Sequence, residues 1–243
     1  MVKNQIQTPN LKVLLLCGDY YHPEQTAIDG IEPLKENGFQ FDIITNTNDF
    51  TPDNLQKYPV VLLCKMDEVS REDRQPWKTE KIQKAFADYV ENGGGLLAVH
   101  GGIVNSAGLQ TGNIPALEKL IGCRFIGHPN STPVSVQPVK PHQVTEDVAF
   151  FCEIDEHYRI EITASDVDIL LASYSPPQGE VCKYAEDPYH NTPAGIYPAG
   201  YVRTQGKGRI CVLTPGHNLA VWRNLQFQKL LTNALRWCAS FNH

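Results

Sequence analysis

An α/β fold, with a parallel sheet covered by helices on both faces, is what this sequence predicts. Three observations carry the expectation. Apolar strand-like runs alternate with helix-like stretches as β-α-β-α-β-α-β over the first hundred residues. Three of those runs, VLLLC (13–17), VVLLC (60–64) and GLLAV (95–99), are apolar throughout, as expected of strands buried on both faces. The totals are ordinary for a globular domain: 243 residues, 42% hydrophobic and 20% charged, long enough for a sizeable core.

Residues 1–10 read as a loose polar tail. Val13 to Cys17 is the first strand, followed by GDYYHPEQ. Gln25 to Asn37 reads as a helix with Ala27, Ile28, Ile31 and Leu34 on one face, although Gly30 and Pro33 weaken its middle. Asn37-Gly38 closes it. Phe39 to Thr45 is the second strand, Thr51-Pro52-Asp53 starts a short helix, and Val60 to Cys64 is the third strand. Lys78 to Glu91 is the clearest helix, with Ile82, Ala85, Phe86, Tyr89 and Val90 at helical spacing. Asn92-Gly93 ends it, and Gly95 to Val99 follows as the central strand.

The second half is less regular. GGIVNSAGLQTGN (101–113) is a long Gly-rich loop, expected to be functional and to cover a cleft. Pro115 to Ile121 is a short helix. Val134 to Val139 alternates like a half-exposed strand, Phe150 to Ile162 contains IDEHYRIEI, and Val167 to Ser173 is a further strand. Pro176-Pro177 and AEDPYHNTP (185–193) mark loops. Gly206-Lys207-Gly208 reads as a hairpin turn before the strand Arg209 to Leu213. The last helix carries Phe227, Leu230, Leu231, Ala234, Leu235 and Cys238 on one face. No linker or repeat divides the chain, so it reads as one domain, 1–243.

Composition excludes some partners. A net charge of −6 without a basic cluster argues against nucleic acid and against an anionic membrane surface. No apolar run approaches the ~20 residues of a membrane helix, and no signal peptide follows Met1, so a cytoplasmic location is expected. Cysteines 17, 64, 123, 152, 182, 211 and 238 are odd in number and lack any C-x-x-C pair, which reads as buried free thiols. A homodimer is the base-rate expectation.

Chemistry concentrates where strands end. His100 follows the central strand and precedes Gly101-Gly102, so a tight turn lifts a polar side chain onto the carboxyl rim, where open α/β sheets bind ligands. His217 ends the strand Arg209 to Leu213 through Thr214-Pro215-Gly216. His22 follows the first strand. Asp155, Glu156, His157 and Tyr158 follow FFCEI, and His128 stands in a GHP turn. The competing readings are a core histidine for His100 and His217, a surface ion pair for Glu156, and a turn residue for His128. His142, His157, His190 and His243 read as structural or solvated. Trp222 lines the cleft or belongs to the core. No G-x-G-x-x-G follows the first strand, which argues against a dinucleotide site.

The segments GGGLLAVHGG, IGCRFIGHP, IDEHY and GYVRTQGKGRICVLTPGH, with the terminal FQKLLTNALRWC helix, resemble the ThuA-like (trehalose utilisation) family in order and over nearly the whole chain. The resemblance implies a flavodoxin-like, class I glutamine amidotransferase-like fold: a three-layer α/β sandwich with a mostly parallel central sheet. It also implies carbohydrate metabolism, with a keto-sugar or disaccharide derivative as the small ligand. True amidotransferases carry a Cys nucleophile in the elbow; here the residue is His100, and imidazole does not replace a thiolate in forming a thioester. Glutaminase activity is therefore not expected. His217 matches their triad base, and Glu156 fits the family's segment best.

Three readings of the constellation stand open. His100, His217 and Glu156, with His128 or His22 added, bind a divalent metal, zinc first, that polarises a carbonyl or activates water. Alternatively His100 and His217 act without metal as general acid and base, with Glu156 orienting one ring. In the third, the chain is a sugar-binding or scaffolding module that keeps the fold without the chemistry.

Overall fold

The computed structural model describes residues 10–105, 115–175 and 196–240. In the first half the chain forms β1 (Leu11–Leu16), α1 (Glu24–Glu36), β2 (Phe39–Ile44), β3 (Val60–Leu63), α2 (Glu80–Glu91) and β4 (Gly95–Val99). Short 3-10 turns at Thr47–Asp49 and Pro52–Lys57 link β2 to β3. Each element lies within two residues of its expected bounds. α2 starts later than expected because Thr79 is its cap, its hydroxyl accepting from the Ile82 N–H at 3.4 Å.

The second half holds α3 (Ala116–Ile121), β5 (Cys123–Gly127), β6 (Thr132–Pro138), β7 (Phe151–Asp155), β8 (Arg159–Ile162) and β9 (Asp168–Tyr174). After them come β10 (Ile196–Gln205), β11 (Gly208–Leu213), α4 (Leu219–Arg223) and α5 (Leu225–Ala239). The strands make a nine-stranded sheet in the order β2-β1-β3-β4-β11-β10-β9-β6-β7, and β5 pairs with β8 separately. The expected mostly parallel sheet is corrected here. Only β2, β1, β3, β4 and β11 run parallel to one another; β10, paired antiparallel to β11, and then β9, β6 and β7 are joined antiparallel. The reason is physical: a parallel pair needs a crossover element between its strands, whereas an antiparallel pair does not. The hairpin expected at 206–208 joins β10 to β11, with Gln205 opposite Gly208 and Gly206 at φ +56°.

Alternate residues of the parallel strands enter two cores. Val13, Leu15, Leu62, Leu97 and Val99 pack with Ala27, Ile31 and Leu34 of α1 and with Phe227, Leu231 and Leu235 of α5. Leu14, Leu16, Val61, Leu63, Leu96 and Ala98 pack with Phe86, Tyr89 and Val90 of α2 and with Leu117 and Leu120 of α3. Helices thus cover both faces of the parallel half. α1 stays continuous through Gly30 and Pro33 because packing overrides propensity. A Cβ on Gly30 would lie 2.6 Å from the Trp222 ring, so glycine sets how closely α1 docks. Trp222 is core, 1% exposed, its indole N–H donating to the Gly216 carbonyl at 2.8 Å.

Cys17, Cys64, Cys123, Cys211 and Cys238 are buried free thiols, and Cys152 is free but exposed. Among the described residues no helix is long and apolar enough to cross a membrane. The expectations for the tail 1–9, Cys182, His190, His243, the loops 176–195 and most of the 101–113 loop lie outside the described residues.

Candidate functional site

The carboxyl ends of β1, β4 and β11 lie on one rim of the parallel half, with β3 between β1 and β4, and each is followed by a histidine. His100 opens a 3-10 turn, His100–Ile103, with its own backbone at φ +47°, a left-handed conformation that L residues seldom adopt. The two glycines behind it are required by space. A Cβ on Gly102 would sit 1.9 Å from the Leu63 carbonyl oxygen, and one on Gly101 would lie 2.9 Å from the His22 ring. The turn therefore tucks beneath the end of β3 and presents His100, 2% exposed, to the rim.

Each imidazole is held by a neighbour. His100 Nδ1 donates to the Thr214 carbonyl at 2.8 Å, which fixes Nε2 as the free nitrogen. His22 Nδ1 donates to the Asp19 carboxylate at 2.9 Å and 3.0 Å, leaving Nε2. Asp19 is fully buried and also accepts from the backbone N–H groups of Tyr21, His22 and Met66. Its pKa is lowered: burial acts to raise it, but the contact with His22 and the backbone donors outweigh that. His217 is placed through the backbone. The buried Asp155 carboxylate accepts from the N–H groups of Gly216, His217 and Asn218 at 2.8, 2.9 and 3.1 Å. That clamp ties the end of β7 to the end of β11. The next residue, Glu156, is thereby set among the rings.

One oxygen gathers the site. Glu156 Oε2 lies 3.2 Å from His100 Nε2, 3.2 Å from His217 Nδ1 and 3.4 Å from His128 Nε2. His22, His100, Glu156 and His217 each offer one ligand atom within 4.8 Å of the others. His128 stands beside this group, outside it, with Nδ1 2.9 Å from the Pro129 carbonyl. Glu156 is not the surface ion pair weighed from the sequence.

Charge and tautomer make the arrangement informative. Burial lowers the His100 pKa, the Glu156 contact opposing it only in part, so the ring is neutral at neutral pH. With its proton on Nδ1, the Nε2 lone pair points at a carboxylate. For His217, burial acts downward but the Glu156 contact and charge prevail, and its pKa is raised. Its Nδ1 is buried and, although 3.2 Å from the carboxylate, has no hydrogen-bond partner. Burial works to raise the Glu156 pKa, yet the surrounding histidines hold it well below the usual carboxylate range. The His100 lone pair and the anion it faces repel unless a cation lies between them. The donor set, imidazoles with one carboxylate, suits zinc and late transition metals. The outer shell of Asp19 and the Thr214 carbonyl is the kind that orients such ligands. The residues present fit a divalent metal.

Of the residues singled out in the sequence, His22, His100, Glu156 and His217 are brought together, and His128 borders them. His157 is buried instead, its Nε2 2.9 Å from the Ser173 hydroxyl, and His142 caps the turn Gln143–Thr145. Other contributors carried no such signal. Asp19 lies three residues before His22, and only the fold shows its contact. Asp155 acts on a backbone more than sixty residues away. Lys65, fully buried, donates to the carbonyls of Gly18, Thr45 and Val69, fixing the loops after β1, β2 and β3; burial lowers its pKa to about 8.

Comparison with known proteins gives the family and the fold. The family profile described as "ThuA: Trehalose utilisation" matches residues 12–238. Among solved structures, a ThuA-like protein from Bacteroides uniformis is 23% identical, with a TM-score of 0.70 over 97% of this chain and 94% of that one. A protein of Salmonella typhimurium described as cytoplasmic is 16% identical, with a TM-score of 0.66 over 94% and 99%. A β-galactosidase from Rahnella sp. R3 is 19% identical, with a TM-score of 0.60 over 92% of this chain but 31% of that one. These likenesses show a shared fold. No curated protein matches the chain.

Proposed function

The chain belongs to the ThuA family, described as trehalose utilisation, and from that membership we propose a metal-dependent protein of carbohydrate metabolism. It acts on a small keto-sugar or disaccharide derivative, by hydrolysis or isomerisation, at His22, His100, Glu156 and His217. The observation that carries this reading is the convergence of the His100 Nε2 lone pair and the unpartnered His217 Nδ1 on one carboxylate oxygen. A divalent cation there would polarise a carbonyl or activate water, the chemistry a sugar carbonyl or glycosidic centre needs. Tyr20 and Tyr21, each half exposed and next in sequence to His22, offer aromatic surface for a sugar ring at the rim. The order β2-β1-β3-β4 supports reading the parallel half as flavodoxin-like, with the ligand above its carboxyl ends. His100 in the elbow position speaks against a glutaminase. The net charge of −6 and the cytoplasmic relative favour a cytoplasmic protein without nucleic-acid or membrane partners.

A metal-free alternative draws on one observation: the pKa values of His100 and His217 are pushed apart, down and up respectively, as in an acid–base pair. Metal content decides between them. Protein purified without an affinity tag or chelator is measured by mass spectrometry beside His100→Ala. Near-stoichiometric zinc, manganese or nickel, lost in the variant, supports the metal site and opens a screen of keto-sugars. No metal in either protein, even after zinc is added back, leaves acid–base chemistry or a sugar-binding module. Turnover of a cognate sugar separates those two.

A further inference from the structure

We infer that the Tyr158 hydroxyl donates a hydrogen bond to the oxygen of whatever ligand fills the open position of the His22–His100–Glu156–His217 site. The inference rests on the metal reading above and assigns a residue that reading does not use. Tyr158 is 2% exposed. Its ring stacks on His100, with centroids 3.7 Å apart and planes 29° apart, and is flanked by Phe125 at 4.5 Å and His128 at 5.2 Å. This packing holds the ring against a ligand histidine. The hydroxyl reaches His22 Nε2, at 3.5 Å, and has no other hydrogen-bond partner among the described residues.

That nitrogen is the one His22 has left for a cation, because Nδ1 is committed to Asp19. Once a cation takes the Nε2 lone pair, the hydroxyl loses its acceptor. A buried phenol without a partner is costly, so it turns to the nearest new acceptor. With three imidazoles and one carboxylate around the cation, that acceptor is an oxygen of the incoming ligand: a sugar hydroxyl, a carbonyl or water. The same contact selects ligands that present an acceptor oxygen on the His22 side of the site.

The test uses tag-free protein stripped with chelator and reloaded with Co²⁺, whose visible absorption reports both loading and ligand exchange. Co²⁺ affinity is measured first for wild type and Tyr158→Phe, then acetohydroxamate, an oxygen-donor chelator, is titrated into the loaded proteins. The expected result is Co²⁺ affinity equal within about twofold and acetohydroxamate affinity weaker by about tenfold or more in the variant, the scale of one hydrogen bond to a charged acceptor. Equal acetohydroxamate affinity overturns the inference. So does weakened Co²⁺ binding, which would assign the hydroxyl to the His22 ligand itself. Phe125→Leu loosens the same stack and keeps the hydroxyl; a comparable loss there would attribute the effect to packing and overturn the assignment too. Wild-type protein that takes up no Co²⁺ removes the metal reading, and the inference with it, at the first titration.

Discussion

Asp155 shows how one buried side chain sets a candidate ligand ring that it touches only through the backbone. Its carboxylate holds three consecutive backbone N–H groups, and the middle one belongs to His217. Asp155→Asn keeps the shape but offers one acceptor oxygen and turns an NH₂ toward backbone donors. Freed from the clamp, His217 binds metal less well, and affinity falls about 10- to 100-fold, as for other outer-shell changes. A competition titration against a chromophoric zinc chelator measures this; unchanged affinity would show that Glu156 and His100 suffice to place the ring. His157 supplies a pH prediction. Burial pushes its pKa from 6.5 down to about 4. Above pH 6.5 both folded and unfolded chains are neutral there, and the full contribution is present. As pH falls from 6.5 toward 4 only the unfolded chain takes the proton, so stability drops, by on the order of 3 kcal/mol. Denaturant unfolding at pH 7, 5.5 and 4.5 should show a slope in wild type that is shallower in His157→Gln; parallel profiles would refute it. At this scale the sequence was partly legible. Histidines after strand-like runs and beside glycines were visible as rim residues. Asp19, Asp155 and Lys65 were not, because their partners are backbone groups or rings that only tertiary structure supplies.

Among the elements, α1 depends on a single glycine. Gly30 faces Trp222, and any Cβ there would lie 2.6 Å from the indole ring, well inside van der Waals contact. Trp222 in turn bonds the Gly216 carbonyl, next to His217. Gly30→Ala must therefore push α1 from α4, at a cost of about 1–3 kcal/mol for overpacking. For a chain of this size that lowers Tm by several degrees. Calorimetry checks it, and an unchanged or raised Tm would mean that α1 slides without strain. The first-half elements were readable because each carries its own period and caps. β10 was not: Pro198 and Gly200 lower strand propensity, and a register shift around Gly200 is what accommodates them. The antiparallel half was hidden for a related reason. Strand direction is fixed by connections, and a run such as Asp168–Tyr174 looks the same in either direction.

Across the whole molecule, the rim brings three strands of the parallel sheet and the β7 end together at four candidate ligand side chains, each more than fifty residues from the next in sequence. In the unfolded chain these groups are scattered, so a cation that bridges them binds the folded state far better than the unfolded one. Such binding stabilises by RT ln(1 + [M]/Kd), about 2.7 kcal/mol when free metal is a hundredfold above Kd. At about 2–4 °C per kcal/mol for a chain of this length, Tm rises by roughly 5–10 °C. Thermal scans of stripped protein with stepwise added zinc should show that rise, its reversal by chelator, and its loss in both His100→Ala and Glu156→Gln. The Glu156→Gln arm carries the most information. It removes the anion that the His100 lone pair faces, so without metal that repulsion is relieved, and at a pH where His217 is neutral the variant should melt no lower than wild type. With zinc it should fall behind, because a neutral amide is a poor ligand. A variant that melts lower in both conditions would assign Glu156 to holding the fold, and the convergence of lone pairs would then require protonated rings rather than a cation.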